Sequence, residues 1–301
     1  MAAKLRYLVI LTVLFVVSLN FTSAFLRHAK SGLECVDRAV CYEQVGVSGK
    51  AITFAADEAD GYHFATKAHR VLATIIAFLV LAVNIVLFRV DRDRFPFRRH
   101  ALAMGAIVLW LAGLGVVAGP SLESWVVMGN LFGGLLLLMV STLLMTRVFG
   151  WQYEFTLKKI VFLAGGVLLF TLFLQGGMVS TNFAGMACTT VPDCNGEWWS
   201  GNPLIQMHMM HRFSAAVALL YFGVILLRAF RRGDSGQRNF LLMLLLLLVA
   251  QIKLGGLMVE EQLPLVITSI HSTLSQLLIT ALLVYFYVTG VRADMGMDGS
   301  E

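Results

Sequence analysis

A chain of 301 residues that is 58% hydrophobic and only 14% charged lacks the composition of a soluble domain, in which about 25% of residues carry charge. Its net charge of +5 would point to nucleic acid in a soluble protein. Here the basic residues gather in alternate segments between long apolar runs, with mean hydropathy +0.79, and that is the signature of membrane topology.

The first apolar run, 6–26, follows Lys4 and Arg6. It has the outline of a signal peptide, but the internal repeat described below needs it, so it is read as a helix. A long polar segment, 27–67, holds Cys35 and Cys41, and His28 and His63 read as loop residues within it. The second run, 68–88, opens on His69-Arg70. Arg89, Arg92, Arg94, Arg98 and Arg99 follow, with His100 read as part of that loop. The third run, 101–119, contains Ala112-Gly113-Leu114 and ends in a short loop with Pro120 and Glu123. The fourth, 125–147, carries Asn130 near its start and is followed by Arg147, Lys158 and Lys159. The fifth, 160–182, contains Gln175 and leads to a loop with Cys188, Asp193, Cys194 and Glu197. The sixth, 208–228, carries His208 and His211-Arg212 and precedes Arg228, Arg231, Arg232 and Arg238. The seventh, 239–258, holds Gln251, Lys253 and Gly255-Gly256-Leu257. Glu260, Glu261 and Pro264 separate it from the eighth, 265–289, which carries His271 and precedes Arg292.

Each run is about the 20 residues that a helix needs to cross a bilayer, and a helix satisfies its own backbone there. Eight crossings put every basic cluster on one side and the acidic short loops on the other. The positive-inside rule then predicts both termini in the cytoplasm. Segment 27–67 is the exception, and charge in longer loops orients a chain less strongly.

The runs repeat. His69-Arg70 recurs as His211-Arg212, and Ala112-Gly113-Leu114 as Gly255-Gly256-Leu257. Each half also places two cysteines, with five residues between them, in the outer loop after its first run. The expected fold is therefore an all-α membrane protein of eight transmembrane helices, arranged as two pseudo-symmetric four-helix bundles, 1–150 and 151–301. Local disulfides Cys35–Cys41 and Cys188–Cys194 suit the oxidising outer side. They serve either as staples of their loops or as redox-active pairs near a cofactor, and neither has the CxxC spacing typical of redox motifs.

His211 and His271 fall near the outer ends of the sixth and eighth runs. Two imidazoles at matched depth on facing helices can ligate one haem iron from both sides. They can also sit at the interface and bond to loops; the repeat and the Arg after His211 favour haem. Arg70 and Arg212 suit haem propionates. In the first half, His69 has no second histidine: Asn130 aligns with His271, or Met128 if no gap is allowed. Lys253 either snorkels to the outer interface or pairs with a carboxylate. Gln175 and Gln251 read as pocket donors or helix–helix contacts, and His208 as a second-shell partner, a proton carrier or an interface residue.

With these residues in view, the sequence resembles the haem A synthase family, which converts haem O to haem A. The resemblance covers most of the chain and rests on the eight-helix repeat, the two His-Arg pairs, His271 and the Cys pairs. The loop from Ala187 to Gly196 is especially close. It implies a resident haem b between His211 and His271 and a second ligand position at Asn130, while Arg212 and Lys253 remain cofactor-binding candidates on the reading of the residues above. It implies a catalytic site for substrate haem O at His69 and Arg70, His69 also being a metal ligand. The implied reaction oxidises the haem C8 methyl to a formyl for cytochrome oxidase biogenesis. The implied partners are membrane lipid, a haem O synthase and an electron donor, in a bacterial plasma membrane. Self-association as a homo-oligomer stays open and no nucleic acid is expected. Two positions depart from the family pattern: Asn130 replaces a histidine, and Thr66 replaces a glutamate three residues before His69. The alternative is a non-catalytic relative that binds haem b and acts in electron transfer or oxidase assembly.

Overall fold

The computed structural model describes residues 2–30, 60–89, 97–118, 124–151, 159–232 and 235–288. Eight long helices account for nearly all of them: α1 Ala2–Lys30, α2 Asp60–Arg89, α3 Arg98–Ala118, α4 Ser124–Val148, α5 Lys159–Thr181, α6 Pro203–Arg232, α7 Ser235–Glu260 and α8 Leu265–Val288. All eight are long and apolar enough to span a bilayer. Large apolar side chains such as Phe78, Leu109, Val116, Val167, Leu220 and Leu246 stand exposed on the outside. That surface is tenable only in lipid, so the chain is an all-α, multi-pass membrane protein.

The helices follow the apolar runs but outlast them at the polar ends. α1 continues past the first run through Arg27 and His28, and α2 starts at Asp60 rather than near Ala68. His28, His63 and His100 are therefore helical, not loop residues. The reason is that a helix end in the interfacial zone tolerates polar side chains, so hydropathy alone stops too early.

Packing follows two closed circuits. α1 packs on α2 and α4, and α3 on α2 and α4; α5 packs on α6 and α8, and α7 on α6 and α8. The circuits meet where α1 and α4 lie against α8, and α4 against α5. One buried cluster, including Leu5, Val9, Ile76, Val83, Leu87, Met104 and Leu138, fills the first circuit. Another, including Phe173, Phe222, Leu244, Leu248, Leu278 and Leu282, fills the second and takes in Leu131 and Leu135 of α4. Small residues permit the close approaches, as in membrane helix packing generally. A Cβ on Gly134 would lie 2.6 Å from Asn20 Oδ1, and one on Gly177 2.8 Å from Leu131.

Between α5 and α6 the chain forms an ordered strap. It runs through a single 3-10 turn, Ala184–Met186, and an isolated bridge between Cys194 and Glu197. Asn195 adopts φ 55°, a conformation that Asn tolerates better than most residues. Its side chain there accepts from the Thr189 N–H (2.8 Å) and donates to the Ala187 carbonyl (3.0 Å).

Candidate functional site

Two helix starts set the depth of the key histidines. Pro203 is the first residue of α6, where its missing N–H is no loss, and Asn202 Oδ1 caps the Leu204 N–H at 3.0 Å. α8 starts after Pro264, whose carbonyl accepts from the Thr268 N–H at 3.0 Å. At 1.5 Å per residue, His211 lies about 12 Å into α6 and His271 about 9 Å into α8.

Both histidines line one cavity of about 390 Å³ between α5–α8 and the C-terminal end of α1. This falls within the range of ligand pockets, about 300–1,000 Å³. The walls are mainly apolar, with Leu172, Phe173, Leu248 and Leu278 among them. Its polar lining includes His208, His211, Arg212 and His271, with Arg27 and His28 from α1.

A glycine backs each ring. A Cβ on Gly176 of α5 would sit 3.0 Å from His211 Cε1, and one on Gly255 of α7 3.3 Å from His271 Cε1. Each imidazole therefore lies against the backbone of a neighbouring helix, which limits its rotation. The Nδ1 atoms of His208, His211 and His271 are buried with no hydrogen-bond partner of good geometry among the described residues. Backbone carbonyls stand beside all three rings, at Ala184 for His208, Leu172 for His211 and Gln251 for His271. An imidazole that holds a metal through one nitrogen commonly turns the other to such a carbonyl. Gln251 Nε2 donates to the His271 carbonyl at 2.7 Å and ties α7 to α8 at this level.

Arg212 has a double position. Its Nη1 donates to the carbonyls of Thr190 (2.8 Å), Pro192 (3.2 Å) and Asp193, which latches the strap onto α6. Its Nη2 is buried without a partner among the described residues, and the residue lines the cavity. The strap is closed on itself by Cys188 and Cys194, whose sulfurs lie 2.09 Å apart, at disulfide distance. Two imidazoles lining one cavity, the glycines behind them and the unpartnered guanidinium nitrogen are groups whose chemistry suits a haem.

The other candidates fall elsewhere. Lys253 is exposed on α7 and is not among the residues that line the cavity. Gln251 faces the cavity, and two residues on the helix has turned about 200°. His69 is half-buried on α2 and Arg70 is exposed. Thr66 Oγ1 bonds back to the Tyr62 carbonyl at 2.9 Å. Asn130 is exposed near the start of α4 and makes no hydrogen bond among the described residues, while Met128 packs against Gly177 of α5. Cys35 and Cys41 lie outside the described residues. Arg27 and His28 are the cavity residues that sequence reasoning missed. A signal existed: Arg27 follows the first apolar run directly, with no Gly or Pro to stop the helix.

Comparison with known proteins agrees with this architecture. A relative from Shewanella oneidensis bearing the name "Heme A synthase" is 25% identical over 323 aligned positions, which cover 94% of this chain and 96% of that protein. The family model described as "Cytochrome oxidase assembly protein" matches residues 3–283, from α1 into α8. With the match extending over all eight helices, the chain belongs to the COX15-CtaA family of cytochrome oxidase assembly proteins.

Proposed function

We propose that the protein is a haem A synthase, which oxidises the C8 methyl group of haem O to a formyl for cytochrome oxidase biogenesis. The observation that carries this reading is the pair His211 and His271 across one apolar cavity, each ring backed by a glycine. In this reading the chain works as two four-helix halves, 1–150 and 151–301. The second half holds a resident haem b through His211 and His271, with Arg212 Nη2 at a propionate. Such a haem, when bound, supplies one-electron transfer. The apolar walls keep water from it, and the Cys188–Cys194 disulfide holds the strap that Arg212 grips.

Haem O is the substrate, oriented in the first half by His69 and Arg70. Its methyl carbon would be hydroxylated twice, each time taking one oxygen atom from dioxygen while the other leaves as water with two electrons and two protons from an electron donor. The resulting diol would lose water to give the formyl; a haem O synthase would supply the substrate. In this reading both termini lie in the cytoplasm, which the alternation of basic and acidic loops supports, and the membrane is a bacterial plasma membrane. The test is co-expression with a haem O synthase, followed by chromatography of extracted haems from wild type and His69→Ala. Haem A that depends on His69 is the expected result. Its absence from wild type, with haem O present, defeats the enzyme reading.

A second reading has a specific observation behind it. Thr66 is bonded to its own helix and Asn130 is exposed, so neither position of the first half offers the carboxylate or imidazole that the family pattern has there. A relative that binds haem b and serves electron transfer or oxidase assembly would tolerate both changes. It predicts the resident haem without haem A.

A further inference from the structure

We infer that Arg27, on α1, positions the His271 side of the haem site and tunes its iron, an inference that rests on His211 and His271 holding that haem. Arg27 Nη2 donates to Ser272 Oγ at 2.9 Å, and Ser272 is the residue after His271. The same nitrogen lies 3.3 Å from His28 Nε2, and both α1 residues line the cavity.

Neighbouring hydroxyls on α8 behave differently. Those of Thr268, Ser269, Thr273, Ser275 and Thr280 bond to carbonyls of their own segment, as hydroxyls in apolar helices usually do. Ser272 instead accepts from another helix. Four residues on, Gln276 accepts from Asn20 of α1 at 2.7 Å. Asn20 and Arg27 are two turns apart on one face of α1, and Ser272 and Gln276 one turn apart on one face of α8. With Gln251 holding the His271 carbonyl from α7, the turn that carries His271 is fixed by three side chains from two other helices. A long basic side chain at a helix end could simply reach the interfacial water. Arg27 turns inward instead, to a hydroxyl adjoining the ligand.

The charge has a direct consequence. A cation in the cavity wall next to the turn that carries His271 would disfavour the more positive ferric state of a haem held there, so Arg27 would hold its reduction potential up. Through Ser272 it also fixes the rotation of α8 that aims the imidazole.

The experiment is a redox titration with low-temperature EPR on the full-length protein, purified with its haem. It compares wild type, Arg27→Gln, Arg27→Lys and Ser272→Ala. Arg27→Gln removes the charge and keeps a donor: its midpoint is expected to move to more negative potential. Arg27→Lys is expected to restore most of that shift. Ser272→Ala keeps the charge, so its midpoint stays near wild type while its low-spin EPR signal moves. Wild-type potential and EPR in Arg27→Gln overturn the proposal and leave the bis-histidine reading standing. If Arg27→Gln does not fold, wild-type EPR in both Arg27→Lys and Ser272→Ala overturns it. A wild-type protein whose haem is independent of His211 and His271 overturns the underlying reading and this proposal together.

Discussion

Asn20 on α1 donates its side-chain amide to Gln276 on α8 at 2.7 Å, and the same nitrogen donates to the Gly134 carbonyl on α4 at 3.1 Å. Three helices meet at one buried polar contact. Hydrogen bonds between membrane helices contribute about 0.6 kcal/mol on average and up to about 1.7. Gln276→Leu should therefore cost about 1 kcal/mol, and Gly134→Ala more, because its Cβ would collide with Asn20 Oδ1. Thermal unfolding in detergent checks both. A Gly134→Ala protein as stable as wild type would contradict the close approach.

The haem site should report itself optically. A sharp reduced b-type spectrum is expected from the purified protein. His211→Ala or His271→Ala should remove it or turn it high-spin. Gly176→Val should do nearly the same without touching a ligand, because its branched side chain needs the space of the His211 ring. Overpacking of this kind costs about 1–3 kcal/mol. An unchanged spectrum in Gly176→Val would show that the ring does not rest on α5.

The strap should contribute stability separately from the haem. For a loop as short as Cys188–Cys194, cross-linking restricts the unfolded chain by about 2 kcal/mol. Replacing both cysteines with serine should lower the Tm and leave the haem spectrum nearly intact. Arg212→Ala should do more, since it releases the strap and removes the spare cavity donor together. Mass spectrometry of unreduced protein should find the linked peptide.

Topology is tested by reporter fusions. Fusions at Arg94 and Gly233, which lie outside the described residues, should report cytoplasm, and a fusion at Asn195 should report the outside. An outside signal from Arg94 would reverse the orientation.

The first four helices offer the most demanding test. Asn130→His with Thr66→Glu supplies the two groups that the family pattern has and this chain lacks. The pair should raise haem A yield in cells supplied with haem O, and His69→Ala should abolish it. An unchanged yield would mean that these positions do not limit the reaction.

Much of this was legible in the sequence, because lipid enforces a simple rule. A segment that crosses the bilayer must be apolar for about 20 residues, and all eight runs proved helical. His211 and His271 stood out as candidates because each falls a few residues into its apolar run, 208–228 and 265–289, although the sixth helix itself begins earlier, at Pro203. Rotation and reach were less legible. Lys253 was placed by depth, which a linear pattern shows, and its facing direction follows from its neighbour Gln251. His28 was lost because the apolar pattern stops before the helix does. Arg212's grip on three strap carbonyls had no sequence signal, since any guanidinium can bond to any carbonyl within reach.

The place of α1 bears on how such a chain can be taken apart or inherited. A duplicated four-helix unit would seem divisible at its midpoint, near Gly150. Yet the cavity between α5 and α8 is completed by Arg27 and His28, and Ser272 and Gln276 find their partners on α1. Cut at the midpoint, the later piece would carry both hydroxyl and amide into hydrocarbon without those partners, and its cavity would open at the side. The two halves are therefore not interchangeable modules: α1 and α8 must find each other before either has its polar partners.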